Sequence, residues 1–320
     1  MPLLDFPLEK LKTYKGINPR PKDFDAYWDR AVREMRALNP RLELKPNKTV
    51  KVPYADCFDM YWTGVGGARI HAKLLRPKHA PKPHPGLCIF HGYSNNSGDW
   101  SDKFGYVAAG FTVAAMDVRG QGGLSEDKGG VIGNTLNGHI IRGLDDAPEK
   151  LLFRQIFLDA AQMARIVMGM PEVDPKRVGA IGASQGGGLT LACAALESGL
   201  RRAAPIYPFL CDYQRVWEMD QAKNAYDELQ QYFRRFDPTH AREKEVFTRL
   251  GYIDNQHLAP RIKAEVLMAV GLMDDICPPS TQFAAYNKIR SKKQMVIFPD
   301  FRHEHLPEFN DRSFNFLMGM

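Results

Sequence analysis

Gly182-Ala183-Ser184-Gln185-Gly186 is the stretch on which the reading of this chain turns. An apolar run, Val178 to Ile181, leads into it, and a small-residue stretch, Gly187 to Ala195, leads out. The pattern is strand, sharp turn, helix, with a serine at the turn. Such a turn strains the backbone of its serine, and the flanking positions must be tiny so that strand and helix can approach closely. Gly182, Gly186, Gly187 and Gly188 meet that need. A glycine-rich nucleotide loop competes for the same residues, but the G-x-G-x-x-G spacing is missing.

Working outward, short apolar runs alternate with helical patterns. Strands are expected at Gly86–Phe90, Phe111–Val118, Arg177–Ala183, Ala264–Gly271 and Gln294–Pro299. Helices are expected at about Asp102–Ala109, Lys150–Met170, Gly187–Ser198 and Pro279–Lys288. That alternation predicts an α/β fold with a mostly parallel central sheet and helices on both faces. Ahead of it, Val50–Thr63 and Ala68–Leu75 read as an antiparallel pair around a Gly64–Gly67 turn. Phe24, Tyr27, Trp28, Ala31, Val32 and Met35 recur at helical spacing and predict an amphipathic N-terminal helix laid against the main body. One stretch, about 208–260, reads as consecutive helices with no convincing strand. It is expected to be an insertion that caps the sheet edge or covers the active site, or else extends an interface. The whole, 1–320, reads as one domain with an N-terminal extension over 1–50.

With 320 residues, 44% hydrophobic and 25% charged, the chain can bury one large core without staples. Its net charge of +6 comes from scattered Lys and Arg. A nucleic-acid binder would cluster them, so a solvated basic surface is expected instead. The five cysteines lie far apart with no C-x-x-C pair, which reads as reduced thiols. No run approaches the apolar length of a membrane span, and the start lacks a signal-peptide pattern. A cytoplasmic location is expected.

A serine hydroxyl needs a base to take its proton as it attacks. In sheets with this kind of nucleophile turn, the chain order is Ser, then Asp or Glu, then His. His303 follows the last expected strand on a loop that opens the final helix, and is the first choice for the base over His305. His240 and His257 fall in the helical stretch. The acid belongs at the end of the preceding strand, where Asp274 is the choice and Asp275 its rival, either being able to cap the helix near Pro278 instead. Two backbone N–H groups must face the developing oxyanion. Gln185, after the nucleophile, supplies one, and Tyr93, in Phe90-His91-Gly92-Tyr93, the other. His91 is expected to support that turn. Arg119-Gly120-Gln121 forms an ordered loop near the site, with Arg119 paired to a carboxylate, and the run Gly129–Gly138 does not read as a phosphate-binding helix start. His303-Glu304-His305 lacks the H-E-x-x-H spacing, so no metal and no cofactor are expected.

With those residues in place, the chain resembles the acetyl xylan esterase and cephalosporin C deacetylase family of carbohydrate esterases, built on the α/β-hydrolase fold. The resemblance rests on Arg119-Gly120-Gln121, Gly182-Ala183-Ser184-Gln185-Gly186 and His303-Glu304. His91-Gly92-Tyr93, Gly271-Leu272-Met273-Asp274 and Cys277-Pro278-Pro279-Ser280-Thr281 join them, and so does the stretch Pro21 to Trp28. It implies deacetylation of small acetyl esters, such as acetylated xylo-oligosaccharides and cephalosporin C. It also implies Ser184, Asp274 and His303 as catalytic residues, Tyr93 and Gln185 as oxyanion donors, and a cytoplasmic hexamer. Two other readings compete: a serine peptidase of the same fold, and an inactive binding protein on a hydrolase scaffold.

Overall fold

The computed structural model describes residues 4–128 and 139–320, so the run Gly129–Gly138 lies outside the described residues. Among the described residues, nine strands form one sheet in the order β1-β2-β3-β5-β4-β6-β7-β8-β9. β1 (Glu43–Pro46), β2 (Ala55–Thr63) and β3 (Arg69–Pro77) are antiparallel, and β3 meets β5 (Thr112–Met116) antiparallel as well. β5 and the strands beyond it, β4 (His84–Phe90), β6 (Val173–Ala183), β7 (Arg202–Ile206), β8 (Glu265–Gly271) and β9 (Lys293–Phe298), are all parallel. The antiparallel pair turns where expected, with Gly66 and Gly67 at φ 74° and 78°. Such angles are open to glycine at no steric cost.

Helices cover both faces. α1 (Leu8–Leu11) and α2 (Phe24–Ala37) precede the sheet, and α3 (Phe104–Ala108), α4 (Leu152–Met168) and α5 (Gln185–Leu196) follow within it. Alternation within β4 separates the faces. Cys88 and Phe90 join a core with α2, α4 and α5, whereas Leu87 joins Val107 of α3 and Leu317 of α11 (Phe309–Met318). β5 is buried at every position, which explains its unbroken apolar run. α2 buries Phe24, Tyr27, Trp28, Ala31 and Met35, and the Trp28 ring stacks on Phe157 of α4.

Two strands were not expected from sequence. β7 reads Arg-Ala-Ala-Pro-Ile, too short, too small and proline-bearing to signal a central strand. Its place is fixed by its neighbours, Ile206 pairing with Ala183 at the end of β6. β1 is a four-residue edge strand closed by Pro46. The helical stretch does contain consecutive helices, α6 (Tyr213–Glu218), α7 (Asp227–Phe236), α8 (Glu243–Leu250) and α9 (Asn255–Leu258). It connects β7 to β8, interior neighbours, and its α7 reaches the loop after β4 through Glu228. α10 (Pro279–Lys288) then leads to β9.

Candidate active site

Ser184 stands between β6 and α5 with φ 59° and ψ −119°, a conformation that a non-glycine residue holds only when its surroundings impose it. The surroundings are tight. A Cβ on Gly182 would come within 2.6 Å of Phe90 O, and one on Gly186 within 2.1 Å of the same atom. The Ser184 backbone is also tied sideways: its N–H donates to Ile206 O and its carbonyl accepts from Gly188 and Phe209, each at 3.0 Å.

His303 lies on the loop after β9, and its Nδ1 is 2.9 Å from Asp274 Oδ2. Asp274, at the end of β8, is fully buried. Its Oδ1 accepts from Ile276 N at 3.0 Å and Cys277 N at 2.7 Å, while Gln282 Nε2 donates to the same Oδ2 that faces His303, at 3.3 Å. The carboxylate therefore both ends a turn and orients the imidazole. Tyr207 flanks the His303 ring with centroids 4.5 Å apart. Among the described residues nothing hydrogen-bonds His303 Nε2. The Ser184 hydroxyl instead lies beside the Cys277 thiol, whose ionisation burial pushes well above 9. Base–nucleophile bonds of this kind are often open without substrate and close in the complex.

The rival positions point elsewhere. Asp275 is half-buried and faces Arg302 at 3.4 Å. His305 is exposed, its Nε2 3.5 Å from Asn310 Nδ2. Glu304, also exposed, accepts from Arg302 N at 2.9 Å, on the chain next to His303.

Two loops meet in front of Ser184. The Gln185 and Gln121 side chains exchange hydrogen bonds, Gln121 Nε2 to Gln185 Oε1 at 2.6 Å and Gln185 Nε2 to Gln121 Oε1 at 2.9 Å. Gln121 Oε1 also accepts from Ser94 N at 2.9 Å, so one side chain holds both the residue after the nucleophile and the Tyr93 loop. Gly120, at φ 72°, makes the turn that aims it. Arg119 points inward, in a bidentate pair with Asp159 of α4 at 2.6 and 2.7 Å, and gives a further bond to Val65 O. His91 accepts from Val118 N at 3.0 Å, with Nδ1 on Gly92 O at 2.7 Å. Both nitrogens are thus used in holding the turn, and burial lowers its basicity.

The Tyr93 ring packs between Phe209 and His139. Its hydroxyl donates to Glu228 Oε1 at 2.8 Å, and the other Glu228 oxygen accepts from Ile140 N at 2.9 Å and Ile141 N at 3.1 Å. Burial pushes the Glu228 carboxyl up to about 7 against those donors. Neither Glu228 nor Cys277 was expected from sequence as part of the site, and Gln121 only as part of a loop. Glu228 lies 135 residues from Tyr93, and helical periodicity says nothing about where one carboxylate of an insertion will land.

Asp274, Cys277 and His303 present three possible metal-ligand atoms within 4.8 Å of one another. Two of these atoms already satisfy each other, His303 Nδ1 lying 2.9 Å from Asp274 Oδ2, and the Cys277 thiol lies beside the Ser184 hydroxyl.

The description acetyl xylan esterase (AXE1) belongs to the family model that matches residues 1–320. Acetyl xylan esterase 1 from Thermoanaerobacterium sp. JW/SL YS485 is 62% identical, with a TM-score of 0.97 over 98% of this chain and 99% of that one. Acetyl xylan esterase from Paenibacillus sp. R4 is 35% identical, with a TM-score of 0.93 over 98% and 99%. Acetyl esterase Axe7A of Xylanibacter ruminicola is 26% identical over 95% of this chain and 68% of its own length.

Proposed function

The chain belongs to the acetyl xylan esterase family and is a carboxylic ester hydrolase on an α/β-hydrolase scaffold, and from that premise we propose how its residues carry out deacetylation. Ser184 attacks the acetyl carbonyl while His303 Nε2 accepts its proton. Asp274 holds the imidazole in the tautomer that leaves Nε2 free, and stabilises the imidazolium that forms. The backbone N–H groups of Gln185 and Tyr93 receive the oxyanion, the first at the N-terminal end of α5 where the helix dipole favours negative charge. His303 then returns the proton to the departing alcohol, and water releases acetate by the same route.

The observation that carries this reading is the convergence, from three separate strand ends, of a strained serine, a histidine with an open nitrogen and a buried aspartate on its other side. We take the substrates to be small acetylated sugars such as xylo-oligosaccharides, and the acetyl group of cephalosporin C. The names of the relatives support the first, and the sequence resemblance supports the second. A cytoplasmic hexamer is the matching assembly. Five buried, unpaired cysteines favour a reducing compartment, and the oligomer rests on the family resemblance.

The test is hydrolysis of p-nitrophenyl acetate beside the butyrate and octanoate esters, with Ser184→Ala as control. Acetate should be strongly preferred, and the variant should lose on the order of 10⁶ in turnover. Preference for octanoate would overturn the deacetylase reading, and near-normal turnover in Ser184→Ala would overturn the nucleophile.

A further inference from the structure

The residue proposed to supply the second oxyanion donor is held by its side chain from outside its own loop. Tyr93 belongs to the loop after β4, yet its hydroxyl ends on Glu228 of α7, in the helical stretch between β7 and β8. Glu228 is 4% exposed. Its carboxylate gathers three donors from two separate segments: the Tyr93 hydroxyl at 2.8 Å and the backbone N–H groups of Ile140 and Ile141 at 2.9 and 3.1 Å. The Tyr93 ring also rests against Phe209, centroids 5.6 Å apart, and Phe209 N donates to the Ser184 carbonyl at 3.0 Å. One side chain thus touches the oxyanion loop, a residue bonded to the nucleophile backbone, and the insertion.

A donor aimed at developing charge contributes most when it is fixed before the reaction begins, and small misplacements are costly. Gln121 fixes the loop by bonding Ser94 N, one residue beyond Tyr93. The Tyr93 hydroxyl is a second anchor on the far end of the ring. We propose that Glu228 is a positioning residue for the oxyanion hole, which makes the insertion part of the transition-state machinery. This rests on the reading of Tyr93 N–H as an oxyanion donor.

The role separates from plain structural support in a kcat-against-KM split. Glu228→Leu keeps bulk and burial but removes every acceptor from the Tyr93 hydroxyl and from the Ile140 and Ile141 N–H groups. It should lower kcat for p-nitrophenyl acetate roughly 10- to 100-fold with KM within about twofold. Tyr93→Phe deletes one hydroxyl, leaves the backbone donor in place, and should fall in the same direction. The double variant should be no slower than the slower single one, because both remove the same link. The rate at which a fluorophosphonate captures Ser184 should drop in parallel, since that adduct also carries its oxygen into the oxyanion hole.

Losses that multiply in the double variant would overturn the proposal, as would a lower melting temperature with kcat unchanged in both single variants. Ser184→Ala run beside them keeps the two levels apart. If it is inactive while both anchor variants keep full kcat, only the positioning role falls. If it retains turnover, the underlying active-site reading falls.

Discussion

His71 Nδ1 lies 2.6 Å from Asp117 Oδ2, and His303 Nδ1 lies 2.9 Å from Asp274 Oδ2. By distance alone the first couple is the tighter. Its histidine is also the more deeply buried, 1% exposed against 15% for His303, while both carboxylates are buried. The difference lies on the far side of each ring. His71 Nε2 is taken by Asp59 at 3.1 Å, so neither nitrogen is open to a nucleophile. Among the described residues no hydrogen bond occupies His303 Nε2. Asp117, in turn, accepts from Ser97 N at 2.7 Å and Leu124 N at 2.9 Å, so this couple fastens loops. A histidine–aspartate pair is catalytic by virtue of its unoccupied nitrogen, and a shorter bond does not make it so.

Four substitutions press on that distinction, the strongest first. Asp274→Asn should reduce kcat by roughly 10⁴, because the amide favours the wrong tautomer while the turn at Ile276 and Cys277 can persist. A loss under tenfold would erase the contrast. His71→Ala should do the reverse. It leaves Asp59 and Asp117 facing an emptied buried position and should cost roughly 3 kcal/mol in urea unfolding, while kcat per folded molecule changes little. A collapse of kcat at an unchanged urea midpoint would mean that the wrong couple has been called structural.

The third concerns pH. Burial pulls the Asp117 carboxyl upward, but hydrogen bonds from His71, Leu124 and Ser97 outweigh it and hold it below its ordinary 3.8. At pH values between the folded and unfolded pKa, the unfolded chain binds more protons, so stability rises with pH there. This contribution is therefore whole above about pH 4 and drains away as the pH falls further. The urea midpoint of the parent should drop more steeply from about pH 5 to about pH 3 than that of Asp117→Asn, and equal slopes would remove Asp117 from the account. The smallest effect belongs to Asp275→Asn, whose exposed pair with Arg302 spans 3.4 Å. Hydrolysis and stability should both stay within error, as for most surface ion pairs.

Much of this was legible before any coordinates because it is local. A serine in a glycine-lined turn, a buried run ending in Asp274 and a histidine after the last strand each show in a few adjacent residues. So did the pairing of Arg119 with a carboxylate, although its partner, Asp159, could not be named. What escaped notice depends on long-range packing. β7 is a strand because β6 and β8 flank it, with Gly182 opposite Pro205 and Ala269 opposite Ile206. Its own five residues carry no such signal. The choice between Asp274 and Asp275 also needed space, since adjacent carboxylates differ only in which one the chain turns inward. The exchange between Gln121 and Gln185, 64 residues apart, likewise exists only once both loops are folded.

The helical stretch has a topological consequence. β7 and β8 are parallel neighbours, and parallel neighbours can be joined only by a crossover of a dozen or more residues. Here that crossover is the insertion itself, with α9 as its inner rung: Asn255 bonds Leu210 O through both its backbone N–H and its side chain. Excising the stretch would therefore cut the sheet's own wiring. Remodelling has narrower room, in outer segments such as α8, with α9 and Glu228 retained. A grafting campaign to change substrate size should treat this bridge as one whose span is negotiable and whose abutments are not.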